Sequence, residues 1–132
     1  MFRLGEVADK NKVLGVNPVV LAFVGDAVYS LYVREKLSLT TDNKTGELNK
    51  LATAEVRATA QAEFFKEIEH LLTEEEYAVF KRARNAKKPT RAKSATVCEY
   101  NISTGFEALL GYLYMCGDTD RLNFLLNKGN TI

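Results

Sequence analysis

The sequence is poor in the residues that interrupt helices, form disulfides or bind zinc. It has two prolines, Pro18 and Pro89, so long helices are permitted almost everywhere. Its two cysteines, Cys98 and Cys116, predict no disulfide framework and fit a reducing compartment. The single histidine, His70, excludes catalysis by a histidine pair, and one histidine with two distant cysteines cannot form a zinc site without carboxylates. Any catalysis must therefore rest on carboxylates, hydroxyls or lysines.

Signals for targeting and for membrane insertion are also missing. No basic segment followed by an apolar one opens the chain, so we predict a cytoplasmic location. The apolar stretches are too interrupted to be membrane spans. Apolar residues make up 46% of the 132 residues and charged residues 27%, which excludes a disordered chain. We predict one domain over residues 1–132, in which residues 1–16 carry no functional signal.

Acidic residues are absent from one strongly basic segment. The net charge is only +1, but residues 81–93 contain seven basic residues, while the rest of the chain has 11 basic and 17 acidic residues. A basic segment on an acidic body predicts binding to phosphate groups. The alternatives are a solvated helix end with a flexible loop, or a docking site for an acidic protein. The candidate phosphate-contacting residues are Arg82, Arg84, Lys87, Lys88, Arg91 and Lys93.

The pattern of apolar residues predicts helices and no strand, so the fold class is all-α. Asn17 and Pro18 are typical of a helix start, and residues 73–76, TEEE, form a capping box that starts another helix. The predicted helices cover about 18–37, 45–72, 73–85, 95–116 with a kink at 103–105, and 118–129.

Two long apolar segments each contain a single charged residue. Residues 17–33 contain only Asp26, and residues 100–117 contain only Glu107. Both segments are apolar on nearly all sides, so both helices should be central to the fold. An ionised carboxylate in such surroundings is costly unless a cation or several donors compensate it. The pair therefore suggests oxygen ligands for a shared divalent metal ion such as Mg²⁺.

Structural explanations of the two acids remain open from the sequence. Asp26 could accept hydrogen bonds from Tyr29, Ser30 or the end of another helix. Residues 104–107, TGFE, form a capping box if the helix restarts after the kink, which would make Glu107 a helix-capping residue.

The two acids also lie in recognisable motifs. Residues 23–28 read FVGDAV and residues 107–111 read EALLG, and both motifs resemble those of the ribonuclease III family. The resemblance implies a ribonuclease III endonuclease-domain-like helical bundle that forms a two-fold dimer and cleaves double-stranded RNA with Mg²⁺. It implies Asp26 and Glu107 as catalytic metal ligands and Phe23 as a dimer-interface residue. The alternative for Phe23 is a position in the core.

Further segments resemble the compact Mini-III branch of this family, which lacks a double-stranded-RNA-binding domain. They are residues 73–76, residues 81–87 and residues 103–107. This resemblance implies maturation of the ends of the large-subunit (23S) ribosomal RNA precursor, with help from a large-subunit ribosomal protein.

Two positions depart from the pattern of the wider family. Ala22 stands where the family usually has Glu, and Thr104 stands where it usually has Asp. Glu55 or Glu63 are alternative sources of a further carboxylate. The departures leave two other hypotheses open, which are a catalytically silent RNA-binding protein of this fold and a helical interaction module without RNA.

Overall fold

The structure is a computed structural model, and it describes residues 5–40, 42, 44–88 and 96–130. Over these residues it contains α-helices and one 3-10 turn, with no strand, which confirms the predicted all-α class. The helices are α1 (Lys10–Leu14), α2 (Pro18–Thr40), α3 (Thr45–Val56), α4 (Ala58–Ile68), α5 (Glu74–Asn85), α6 (Val97–Met115) and α7 (Thr119–Leu126), and the 3-10 turn Glu69–Leu71 follows α4. No helix in the described ranges is long and apolar enough to cross a membrane.

The predicted helix starts are confirmed by their hydrogen bonds. The Asn17 side-chain oxygen accepts from the Val19 N–H at 2.8 Å, so α2 begins as its sequence indicates. Thr73 and Glu76 form the reciprocal bonds of a capping box at the start of α5. Glu76 is also held by Arg121, whose Nε donates to it at 2.7 Å, which ties α7 to the start of α5.

Two features of the predicted helices were wrong. The helix predicted over 45–72 is divided at Arg57, whose backbone is extended with ψ 156°. The kink predicted at 103–105 does not occur, because α6 is continuous from Val97 to Met115 and its capping box lies at Thr96 and Glu99. Ser103 and Thr104 donate their hydroxyls back to the Tyr100 carbonyl, so they fit inside the helix.

The N-terminal segment contains a short helix that the sequence pattern did not indicate. α1 is five residues long, and the Asp9 side chain caps it by accepting from the N–H groups of Asn11 and Lys12. Val13 is fully buried, and the Ala8 N–H donates to the carbonyl of Met115 at 3.0 Å. The described part of this segment is therefore packed against the end of α6.

Helices α2 and α6 form the centre of the bundle and cross with their backbones in direct contact. A Cβ atom added to Gly25 would overlap the carbonyl oxygen of Glu107, and one added to Gly111 would overlap that of Leu21. Glycine at both positions removes the side-chain layer that normally separates two helices. The neighbour of Gly25, Asp26, is consequently brought to the position of Glu107.

The other helices pack around this central pair. The rings of Phe65 on α4 and Phe80 on α5 stack with centroids 4.0 Å apart. Phe80 also lies against Gly105 of α6, where a Cβ would meet the ring and the carbonyl oxygen of Phe80 at 2.8 Å or less. Gly105 therefore permits close approach of α5 to α6, which explains why a glycine occurs there without a kink.

Candidate active site

The two isolated acids of the sequence meet in the structure. The carboxyl group of Asp26 on α2 lies beside that of Glu107 on α6, close enough to raise the pKa of Glu107. Asp26 is exposed, and Glu107 is partly buried. Because α6 is continuous, Glu107 lies in the middle of a helix and does not cap one. The structure thus brings the two predicted carboxyl groups together.

The surroundings of Glu107 disfavour its negative charge. Burial raises the pKa of Glu107 to about 9, and the hydrogen bond and charge of Asp26 contribute to this increase, while a hydrogen bond from Gln61 partly offsets it. In the absence of a cation, Glu107 therefore keeps its proton near neutral pH. A divalent cation at this position would favour the ionised form of both groups, because it supplies the missing opposite charge.

A third side chain completes the cluster. Gln61 on α4 is only 2% exposed, and its Nε2 atom donates to Glu107 Oε2 at 3.3 Å and to the carbonyl oxygen of Val56 at 2.8 Å. Val56 is the last residue of α3, so this side chain joins the end of α3 to the Glu107 carboxyl group. Helices α2, α4 and α6 thus each contribute one polar side chain.

Residues 19–118 match the Ribonuclease III domain family. The chain belongs to the ribonuclease III family. It is 47% identical over 121 residues to the Mini-ribonuclease 3 of Thermoanaerobacter sp. (strain X514), covering 92% of this chain and 85% of that protein. It is 42% identical over 126 residues to the Mini-ribonuclease 3 of Clostridium tetani, covering 95% of this chain and 83% of that protein. These relatives place it in the Mini-ribonuclease 3 branch.

A solved structure shows the same fold. A crystal structure of a protein from Fusobacterium nucleatum superimposes with a TM-score of 0.78 at 34% sequence identity, covering 86% of this chain and 90% of that chain. The resemblance to ribonuclease III stated from the sequence motifs is therefore confirmed, and the chain is an endoribonuclease of this family.

Two positions that carry acids in the wider ribonuclease III family are occupied by buried, non-acidic residues in this chain. Ala22 and Thr104 are both 5% exposed, and the Thr104 hydroxyl donates to the Tyr100 carbonyl at 2.9 Å. Glu55, an alternative source of a carboxylate, is paired with Lys36 at 2.8 Å. In the described part of the chain, no cluster of three or more His, Cys, Asp or Glu side chains could hold a metal ion. The candidate site therefore contains a pair of carboxyl groups.

The basic residues at the end of α5 differ in whether their charged groups already donate hydrogen bonds within the protein. Arg82 donates to the Leu14 carbonyl at 3.0 Å, and Arg84 donates to the Asn85 side chain at 3.1 Å. The Lys88 ammonium group donates to two carbonyl oxygens near the end of α5 at 2.7 and 2.9 Å, and burial lowers its pKa. Lys87 is exposed. Arg91 and Lys93 lie outside the described residues.

Phe23 lies on the surface of this protomer. It is 79% exposed, and Val20 and Leu31 on the same helix are 49% and 50% exposed. The alternative of a core position for Phe23 is therefore wrong. We name Val20, Phe23 and Leu31 the α2 apolar stripe. Asp26 lies between Phe23 and Leu31 in the sequence, so the stripe and the carboxyl pair belong to the same segment of α2.

Gln61 is the member of the site that the sequence analysis missed. Its spacing in the sequence could have revealed it. Gln61 lies four residues before Phe65 and seven before Ile68, which places it on the same helix face as these two buried residues. A polar residue on the buried face of a helix is unusual and requires hydrogen-bond partners.

Proposed function

We propose that this ribonuclease III family member cleaves double-stranded RNA with Mg²⁺ held by Asp26 and Glu107. The observation that carries the proposal is the convergence of these two carboxyl groups from α2 and α6. The donor set fits the ion, because carboxylate oxygens are the protein ligands that Mg²⁺ prefers, and Mg²⁺ retains waters at its other positions. The buried Oε1 atom of Gln61, which has no hydrogen-bond donor in the structure, adds a further oxygen beside Glu107.

In the proposed chemistry the ion activates the water and the protein side chains hold the ion. A bound Mg²⁺ lowers the pKa of a coordinated water and stabilises negative charge on phosphoryl oxygens. Asp26 and Glu107 would hold and orient the ion in their ionised forms, which would require Glu107 to lose its proton. We expect water to be the attacking group, since the chain has a single histidine and no histidine pair is available as acid and base.

We further propose that the basic end of α5 binds the phosphates of the duplex. A-form RNA is recognised mostly through its shape, its phosphates and its 2′-hydroxyl groups. Lys87 has an exposed ammonium group and is the strongest candidate of the described residues. Arg82, Arg84 and Lys88 lie beside it, and Arg91 and Lys93 extend the basic sequence.

The assembly that we propose is a two-fold dimer formed through the α2 apolar stripe. Exposed apolar residues grouped on one helix are typical of a contact surface, and an isologous contact places the same residues against their own copies. Phe23 would then pack against the partner near its own counterpart. Such a dimer presents two carboxyl pairs to opposite RNA strands, with residues 1–132 acting as one catalytic domain.

As the natural substrate we propose the large-subunit (23S) ribosomal RNA precursor. The proposal is supported by the sequence identity to proteins named Mini-ribonuclease 3. A cytoplasmic location agrees with this substrate, and a large-subunit ribosomal protein is the expected helper.

Incubation of the protein with labelled duplex RNA tests the central proposal. We expect cleavage with Mg²⁺ and none with a chelator. Asp26→Asn should lower the cleavage rate by more than about 100-fold while duplex binding persists, because the substitution weakens the hold on the ion and leaves the basic residues intact. Glu35→Gln, which alters an exposed acid on the same helix, is the matched control and should cleave normally.

Each other result has a defined meaning. Duplex binding without cleavage by the unmodified protein would support the silent RNA-binding alternative. Cleavage that persists in the chelator and in Asp26→Asn would contradict the metal site at this position. Loss of folding in Asp26→Asn would identify Asp26 as a structural residue.

A further inference from the structure

The Gln61 side chain has an unusual hydrogen-bonding state. Its residue is 2% exposed, and its Nε2 atom has two acceptors, Glu107 Oε2 and the Val56 carbonyl oxygen. Its Oε1 atom is buried and has no donor, and it is the single such side-chain atom among the described residues. A buried acceptor without a donor destabilises the folded protein, so an amide kept in this state requires an explanation.

The orientation of the amide is fixed by its neighbours. Both contacts of Nε2 are to oxygen acceptors, so exchanging the amide nitrogen and oxygen would place Oε1 against these oxygens and lose two hydrogen bonds. Oε1 is therefore held beside the Glu107 carboxyl group while its lone pairs stay unused. The group that satisfies it must be a donor or a cation that lies outside the described residues of this protomer.

From this geometry we infer that Gln61 is a positioning residue of the ribonuclease site. Its Nε2–H group holds the Glu107 carboxylate in the orientation that faces Asp26, and its Oε1 accepts a hydrogen bond from a water bound to the metal ion. The inference rests on the proposed metal-dependent function. It assigns to an amide on α4 part of the role that acids at positions 22 and 104 fill in the wider family.

The chemistry of the amide suits this role. Outer-shell hydrogen bonds orient metal-binding carboxylates and tune their affinity for the ion. A neutral amide supplies both a donor for the carboxylate and an acceptor for water, without adding a third negative charge to a partly buried pair. If Gln61 were only structural, its contact with Val56 would suffice. Its replacement would then change neither the orientation of Glu107 nor the affinity for the metal ion.

Two substitutions separate these functions. Gln61→Met keeps the length and the unbranched shape of the side chain but removes both polar atoms. Gln61→Glu keeps an oxygen acceptor and removes the donor. Asn127→Leu is the matched control, because the Asn127 side-chain amide also donates to a helical carbonyl, that of Asn123 at 2.8 Å, but lies outside the carboxyl cluster.

The measurement is the affinity of the RNA-free protein for Mn²⁺, used as a spectroscopic probe for the site, together with kcat and KM on duplex RNA. We expect Gln61→Met to weaken Mn²⁺ binding by about 10–100-fold and to lower kcat, with KM for the duplex unchanged. Gln61→Glu should bind Mn²⁺ more tightly than Gln61→Met, because it keeps an oxygen acceptor, but less tightly than the unmodified protein, because it lacks the donor to Glu107. Asn127→Leu should match the unmodified protein in Mn²⁺ affinity.

The thermal unfolding midpoint of each variant completes the test. A folded Gln61→Met variant with unchanged Mn²⁺ affinity and kcat would overturn the inference and leave the proposed function standing. A lowered unfolding midpoint with unchanged Mn²⁺ affinity would overturn it in favour of a structural role. If the unmodified protein binds no Mn²⁺ and cleaves RNA in a chelator, both the proposed function and this inference are wrong.

Discussion

The carboxyl groups of Asp26 and Glu107, which come from different helices, lie beside each other. Burial, the hydrogen bond and the charge of Asp26 together raise the pKa of Glu107 from 4.5 to about 9. Between these two values the folded protein binds a proton that the unfolded chain releases. The free energy of unfolding is therefore greatest at the low end of this interval and falls as the pH rises through the pKa of the folded state.

This linkage gives a prediction for Glu107→Gln. The amide cannot ionise, so the variant should lose the decrease in stability that the unmodified protein shows between about pH 5 and pH 9. Near neutral pH its unfolding midpoint should be higher by a few degrees. Thermal unfolding in metal-free buffers over this range is the measurement. Glu35→Gln, which removes an exposed acid on α2, should retain the pH dependence of the unmodified protein. If the unfolding midpoint of Glu107→Gln changes with pH in parallel with that of the unmodified protein, the prediction is contradicted.

The contact between the backbones of α2 and α6 gives a second prediction. Gly25→Ala places a methyl group on the carbonyl oxygen of Glu107. The helices α2 and α6 can relieve this overlap only by moving apart, which requires the core to repack. We expect a loss of about 3 kcal/mol or more in the free energy of unfolding. Gly46→Ala is the matched control, since a Cβ there meets no atom within 4 Å and should raise stability by about 0.4–1 kcal/mol. Similar values for the two variants in urea unfolding would disprove the close contact.

Much of this architecture could be predicted from local sequence because it rests on local chemistry. The Asn17 and Thr73 caps lie where their side chains indicated, and α6 contains the acid that its composition singled out. The pairing of Asp26 with Glu107 also followed from composition, since each is the single charged residue of a long apolar segment, residues 17–33 and 100–117. Because these two segments pack against each other, an acid isolated on one of them is compensated by the other acid or by an ion.

Other features depend on contacts between distant residues. The division of the predicted second helix at Arg57 carries no glycine or proline signal, and the Val56 carbonyl is satisfied by the Gln61 side chain. The kink predicted at 103–105 does not occur, because Gly105 lies in a continuous helix and allows close contact with Phe80. The role of Gln61 depends on Glu107, which is remote in the chain. These relationships exist only in the folded protein.

The lysines at the end of α5 give a third prediction. Lys87 is exposed, whereas the Lys88 ammonium group donates to the carbonyl oxygens of Arg84 and Ala86. Lys87→Gln should weaken duplex binding and reduce the slope of log affinity against log salt by about one. Lys88→Gln should have the smaller effect on this slope and the larger effect on stability. Lys50→Gln, on α3, is the control, and binding titrations at several salt concentrations decide between these outcomes.

The α2 apolar stripe gives a fourth prediction. We expect the unmodified protein to sediment as a dimer, and Phe23→Glu to raise the dissociation constant by at least about 30-fold, since it places a charge at the centre of an apolar contact. Leu39→Glu is the control, because Leu39 is also 79% exposed but lies at the opposite end of α2. A Phe23→Glu variant that remains dimeric in sedimentation would exclude this stripe as the interface.

The glycine crossing of α2 and α6 also bears on which substitutions the carboxyl pair can tolerate. Where two helices meet through side chains, replacing an interior residue shifts the separation of the helices. Here main-chain atoms at Gly25 and Gly111 set the separation, so exchanges among neighbouring apolar residues should disturb the carboxyl pair less than a change at either glycine. The two glycines, more than the hydrophobic interior, therefore keep Asp26 and Glu107 in register.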